Sequence, residues 1–139
     1  MRNDIHVYSP DNVITALGNH MPSGFAPDSF ITISELGDGV TDEAGADGEV
    51  VVNVSNDPRY EVKMVFLYGS KTNQWLLNRY NLLKQNPNSG FFSMLITDLG
   101  SNPKFTATQA WITKPAGIAY GKAGNNQEWT LHCIGKLGE

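Results

Sequence analysis

Alternation of apolar and polar residues constrains this chain more than any other feature. In residues 30–36, Ile31 and Ile33 fall on one side of an extended chain. Thr32 and Ser34 fall on the other side. Successive side chains of a strand point to opposite faces, so a period of two indicates a strand with one buried face. The pattern therefore predicts a mainly β domain.

The same alternation recurs along the chain in segments rich in β-branched and aromatic residues, which favour strands. Clusters of turn-forming residues, such as those at 55–58 and 100–103, separate these segments. The pattern predicts a β-sandwich or barrel of about eight strands. The predicted strands are residues 12–18, 30–36, 49–55, 60–68, 91–98, 105–113, 117–122 and 128–135.

One segment, residues 73–85, has helical instead of strand periodicity. Leu76 and Leu83 recur there at helical spacing, and Ser70 or Thr72 can cap the start of the helix. A single helix among about eight strands is typical of a layer that covers an open end or face of the sheet.

Residues 37–48 form the longest loop signal. Together with the flanking Glu35 and Glu49, this segment holds six acidic residues and no basic residue. It is glycine-rich and cannot bury a core of its own. Because it joins two strongly predicted strands, we expect a long hairpin connection between 30–36 and 49–55. Loops of this length are uncommon unless they have a function or are disordered.

The acidic loop does not match a calcium-binding loop. If Asp38 takes the first position, Asp42 takes the fifth and Glu49 the twelfth. Val40 then occupies a ligand position, and Glu43 replaces the glycine that the sharp turn needs. This spacing argues against a specific calcium site.

Motifs for catalysis or cofactor binding are missing from the sequence. His6, His20 and His132 have no second ligand at metal-binding spacing. Cys133 is the single cysteine, so no intrachain disulfide forms, and on a strand it points away from the neighbouring His132. We expect Cys133 to be buried, and we predict no catalytic residue, no metal and no cofactor.

Composition and charge narrow the class of protein further. The chain has 139 residues, which suits one domain over 1–139, and a net charge of -4, which repels DNA phosphates. That charge argues against a DNA-binding module, but it does not argue against a wall along which DNA slides without sticking. No apolar run reaches the roughly 20 residues of a membrane span, and the first residues lack the apolar stretch of a signal peptide. We expect synthesis in a cytoplasm.

Short motifs follow one another in order over nearly the whole chain. They include Ser9-Pro10-Asp11, Ser23-Gly24-Phe25, Gly45-Ala46-Asp47-Gly48-Glu49, Ser55-Asn56-Asp57, Ile96-Thr97-Asp98-Leu99-Gly100, Ala110-Trp111-Ile112-Thr113-Lys114-Pro115, Tyr120-Gly121-Lys122 and Asn126-Gln127-Glu128-Trp129. In this order and spacing, the chain resembles the tail tube proteins of contractile-tailed bacteriophages, which are similar in fold to the inner tube proteins of injection systems.

The resemblance implies a structural protein of the virion tail, made in the host cytoplasm, and not an enzyme. Such proteins form hexameric rings whose sheets join into one barrel around a channel for genome passage during ejection. The rings stack because a long loop or hairpin of each subunit contacts the next ring. The implied partners are other copies of the chain and the tail sheath, baseplate and tail terminator proteins. DNA passes through without specific binding.

Applied to this chain, the resemblance gives two sets of predicted site residues. In the second set, the strands 30–36, 49–55 and 60–68 supply part of the channel wall, with their apolar faces packed against the subunit core and their polar faces toward the channel. The inter-ring contact is assigned to Gly37, Asp38, Asp42, Glu43, Gly45, Ala46, Asp47 and Gly48. The channel-facing set is Thr32, Ser34, Asn53, Ser55, Glu61 and Lys63.

Three other readings stay open at the level of sequence. The inner tube of a phage-derived contractile injection system shares the fold and assembly and differs in what passes through it. A monomeric β-sandwich that binds carbohydrate or peptide predicts aromatic side chains exposed on one face. An enzyme predicts a pocket with perturbed ionisable groups.

Overall fold

The computed structural model describes residues 8–27, 30–99, 104–117 and 124–138. Within these residues it has eight strands and one α-helix, which confirms the predicted mainly β fold. The elements are β1 (Val13–Leu17), β2 (Ile31–Glu35), β3 (Val40–Ala44), β4 (Val50–Val54), β5 (Arg59–Phe66), α1 (Lys71–Gln85), β6 (Phe92–Asp98), β7 (Lys104–Lys114) and β8 (Gln127–Leu137).

Six strands form one antiparallel sheet in the order β1-β6-β7-β8-β5-β2. The sheet curls until its two edges approach each other, since Val13 of β1 and Ile33 of β2 line the same cleft. Register shifts interrupt the β6–β7 and β7–β8 pairings. Such bulges bend a sheet and increase its twist, which explains part of the curl.

The hydrophobic core lies inside the curl. Alternate residues of the central strands point inward, as Val62, Met64 and Phe66 do in β5, where all three are fully buried. Leu131 and Cys133 of β8 are fully buried as well. The inward face of the sheet thus follows the period of two that the sequence shows.

The helix covers this core, and the predicted capping of its first turn by Ser70 is confirmed. Its Ser70 side chain accepts a hydrogen bond from the Thr72 backbone N–H, and the helix ends before Pro87. It begins two residues earlier than predicted. Leu76 is fully buried beneath it, and α1 packs mainly against β7.

The region from 37 to 55 differs from the prediction. Residues 37–48 are not a connection between two strands of the main sheet, because they contain β3, which pairs with β4 in a separate two-stranded hairpin. β2 pairs with β5 instead. The predicted packing of the β4 valines against the core is wrong, since every residue of β4 is exposed.

The remaining predicted strands agree with the structure to within a few residues. The exception is 117–122, which falls outside the described residues apart from Gly117. Cys133 lies on the core face, and burial raises the pKa of its thiol to about 11. His132 lies on the opposite face, near Glu61. The two side chains are therefore separated by the sheet, as predicted.

A polar cluster fixes the start of α1 to the segment before β2. The Thr72 hydroxyl accepts a hydrogen bond from the Ser23 backbone N–H at 3.0 Å and contacts His20 Nε2 at 3.0 Å. The His20 ring stacks on Trp75, with 4.9 Å between ring centroids. Burial lowers the pKa of His20 below its ordinary value.

Because the pKa of His20 is lowered in the folded state, we expect the protein to lose stability in mild acid. Unfolded histidine titrates near pH 6.5, so below that pH the unfolded chain takes up a proton at His20 more readily than the folded chain. Stability should be complete above about pH 7 and fall as the pH decreases through about 6.5. Thermal unfolding of the wild type and a His20→Gln variant at several pH values measures how the stability of each protein depends on pH. Equal pH dependence of the two proteins would contradict the assignment.

Candidate assembly surfaces

The β3–β4 hairpin projects from a tightly built root. The Ser55 N–H donates to the Gly39 carbonyl at 2.7 Å, which closes the hairpin. The Arg59 guanidinium donates to both Asp57 carboxylate oxygens, at 2.8 and 2.9 Å, and lowers the pKa of Asp57 to about 2. A Cβ atom at Gly37 would lie 2.9 Å from the Asp57 Cβ, so the root leaves room for glycine only.

The tip of the hairpin is a short, ordered turn. The Gly48 N–H donates to the Gly45 carbonyl, and the Gly45 N–H donates to the Glu49 carbonyl at 2.7 Å. The Asp47 side chain accepts from the Glu49 N–H. Gly48 has φ 90°, which glycine adopts without strain. This turn fixes the register of β3 against β4.

The two faces of the hairpin differ in chemistry. Val40 pairs with Val54, Asp42 with Val52 and Ala44 with Val50, so these six residues share one side, which we call the valine face. The other side carries Thr41, Glu43, Val51 and Asn53. All five hairpin valines are 59–69% exposed. Four of the five lie on the valine face, which is thus an apolar surface with one carboxylate, Asp42, near its middle.

The residues assigned to inter-ring contact all belong to this hairpin but not to one surface. Gly37 and Asp38 lie at the root, Asp42 and Glu43 point to opposite faces of β3, and 45–48 form the tip. The valine face was not predicted, because Val50, Val52 and Val54 were expected to pack against the core and Val40 to lie in the loop. The signal was present: Val50, Val51, Val52 and Val54 directly follow a segment with six acids and no base.

Four of the six predicted channel-facing residues lie together. Thr32 pairs with Lys63 and Ser34 with Glu61 on the side of the sheet away from the core. Glu61 Oε1 lies 3.8 Å from Lys63 Nζ, and Glu61 Oε2 lies 3.4 Å from His132 Nε2. This polar face carries charges of both signs, so it presents no continuous basic surface to a nucleic acid.

The other two predicted channel-facing residues lie apart from that face. Asn53 is on the hairpin, on the side away from the valine face. Ser55 is at the hairpin root, where its hydroxyl accepts from the Asp57 N–H. The six residues therefore do not form a single surface in the isolated subunit.

The edges of the curled sheet are a third feature relevant to assembly. Among the described residues, β1 pairs only with β6 and β2 only with β5 within the sheet. Such edges expose unpaired backbone donors and acceptors and favour pairing with a strand of another chain.

No helix among the described residues is long and apolar enough to cross a membrane.

Structural comparison identifies known proteins with this fold. The chain superposes on a sheath/tube terminator of the extracellular contractile injection system PVC with a TM-score of 0.63 at 11% identity, covering 96% of both chains. A chain of the PVC sheath-tube complex gives 0.61 at 12% identity, with 93% of this chain and 89% of that chain covered. Both structures represent the extended state.

The tube-terminating cap of the anti-feeding prophage gives a TM-score of 0.58 at 14% identity, with 97% of this chain and 95% of that chain covered. No protein-family profile and no curated protein sequence matches the chain. The predicted resemblance is thus confirmed at the level of fold, which is that of tail-tube-like proteins.

Proposed function

We propose that this chain is a structural subunit of a phage tail tube. The observation that carries the proposal is the exposed valine face on a projecting hairpin, in a subunit with the tail-tube-like fold. An apolar surface of this kind is unfavourable in water and is usually covered by a partner. The hairpin, from Gly37 and Asp38 at its root to 45–48 at its tip, contacts the subunit of the next ring.

Rings form when an edge of one curled sheet pairs with an edge of its neighbour. A head-to-tail contact that closes on itself gives a cyclic ring, and a separate contact along the axis stacks the rings. β1 and β2 supply the two edges. Six-fold symmetry follows from the family resemblance and is part of the proposal.

The polar face of the sheet, with Thr32, Ser34, Glu61 and Lys63, lines the channel in this proposal. Hydroxyls and balanced charges do not hold DNA phosphates strongly, so a genome can pass during ejection without specific binding. The subunit has a structural role and no enzymatic one. Its partners are the sheath, the baseplate and the tail terminator of a virion tail.

A second candidate is the inner tube of a phage-derived contractile injection system. The specific observation in its favour is that three of the superposed structures belong to injection particles or their sheath-tube assemblies. The assembly would be the same and the cargo would differ. A chain from the virion of a native gene transfer agent particle also shares the fold, at a TM-score of 0.55 and 9% identity, with 95% of this chain and 98% of that chain covered.

Electron microscopy of the purified full chain tests the proposal. Negative-stain images and light scattering over a range of concentrations should show rings or hollow tubes with a central channel. A chain that stays monomeric at the highest soluble concentration, also with tail baseplates added as an initiating platform, would contradict the proposal. It would favour the monomeric binding module.

A further inference from the structure

A groove beside the start of α1 is a further exposed surface with an apolar lining among the described residues. It has a volume of about 470 Å³ and is lined by Tyr68, Lys71, Gln74, Leu77, Ala116 and Trp129, among others. Tyr68 is 53% exposed and Leu77 is 38% exposed. Lys71 forms no ion pair within the described part of the chain. The groove thus combines an apolar lining with one unpaired cation.

We infer that this groove receives the valine face of a second copy of the chain, with Asp42 of one copy paired to Lys71 of the other. The inference rests on the proposed function, because it names the surface on which the hairpin docks. The two surfaces have matching chemistry. Each is largely apolar and carries one charge, and Asp42, like Lys71, has no ion-pair partner among the described residues.

The distribution of charge along the chain supports this pairing. Residues 3–58, which include the hairpin, contain ten acidic residues and neither Lys nor Arg. Residues 59–138 contain nine basic and three acidic residues. α1 holds Lys71, Arg79 and Lys84 and no acid. The hairpin of one copy is therefore attracted to α1 of another, and two hairpins or two helices repel each other.

Lys71 is the best placed of the three helix cations for this role. Arg79 Cζ lies 5.0 Å from the Trp75 ring centroid, and Lys84 Nζ lies 5.4 Å from the Tyr80 ring centroid. Both are thus held over rings of their own helix. Lys71 stands at the groove instead, exposed and in the first turn of α1.

The positions of the two surfaces give the assembly a direction. The hairpin root adjoins Arg59 at one end of β5, where the Leu36 N–H donates to the Arg59 carbonyl. The groove begins at Tyr68, just beyond Phe66 at the other end of β5. Eight residues of strand separate the ends by about 25 Å. A subunit cannot readily fill its own groove, and successive copies connect head to tail along this direction.

Charge reversal tests the pair in the full chain. Asp42→Lys and Lys71→Asp should each raise the protein concentration needed for assembly by about tenfold or more, because each places like charges together at the interface. The double variant should return to within about threefold of the wild type. Raising the salt concentration should weaken wild-type assembly. Light scattering and negative-stain microscopy measure assembly, and circular dichroism checks that each variant is folded.

Lys84→Asp is the matched control, since it makes the same charge change on the same helix. It should neither impair assembly comparably nor restore the Asp42→Lys variant. Single variants that assemble like the wild type would overturn the docking site and leave the tube function intact. Loss of assembly without rescue in the double variant would also overturn the pair. Absence of assembly in the wild type under every condition would reject the proposed function itself.

Discussion

Replacing Val52 with aspartate is expected to abolish tube growth while the free subunit stays folded. Val52 is 59% exposed and lies opposite Asp42 on the valine face. The change leaves the core intact, so the free energy of unfolding should change by no more than about 0.5 kcal/mol. At the proposed interface it removes about 1.5–3 kcal/mol of apolar burial per contact and adds a carboxylate beside Asp42. Electron microscopy and light scattering measure the loss.

Val51→Asp is the matched control for this prediction. Val51 is as exposed as Val52, but it lies on the other side of the hairpin, opposite Glu43. The substitution adds the same charge as Val52→Asp. Its effect on assembly should be clearly smaller. Tubes of normal length from the Val52 variant would contradict the role of the valine face, and so would equal effects of the two changes.

Replacing Phe66 with alanine is expected to lower the free energy of unfolding by about 3–5 kcal/mol. Phe66 is fully buried, and its ring stacks on Phe25 with 4.8 Å between centroids. Truncation leaves a cavity that the surrounding sheet and loop can fill only in part. Because domains of this kind have a total stability of about 5–15 kcal/mol, the variant should be severely destabilised. Denaturant unfolding of the two proteins measures the difference.

Leu67→Ala, the next residue along the chain, is the control. Its side chain is 45% exposed and points away from the core, so the expected loss is under about 1 kcal/mol. A loss at Phe66 no larger than that at Leu67 would contradict the position of the core. Because Phe66 lies in the core and Val52 lies on the exposed hairpin, their effects on the free energy of unfolding should be additive in a double variant.

These predictions separate the residues that fold the subunit from those that assemble it. The curled sheet encloses its apolar residues, so the subunit does not need a partner to form its core. The valine face and the groove beside α1 stay uncovered. A subunit of this kind can remain folded before assembly, and in the proposed tube the burial of those surfaces contributes to growth.

Local pattern alone was enough to determine the class of fold and most of the elements. In β2, β5 and β8, the alternation of apolar and polar residues follows the core face of the sheet. The helix was predictable because leucines at helical spacing follow the Ser70 cap. These features depend on neighbouring residues, whose spacing is written in the chain itself.

The hairpin was decided by tertiary structure. The alternation in 49–55 shows correctly that one side of β4 is apolar, but periodicity does not say what covers that side. The structure pairs β4 with β3 and leaves its valines exposed, because β5 occupies the place beside β2 that β4 was predicted to take. Strand partners are long-range contacts that many pairings of similar segments could satisfy. The assembly surfaces therefore follow from which pairing the whole domain stabilises.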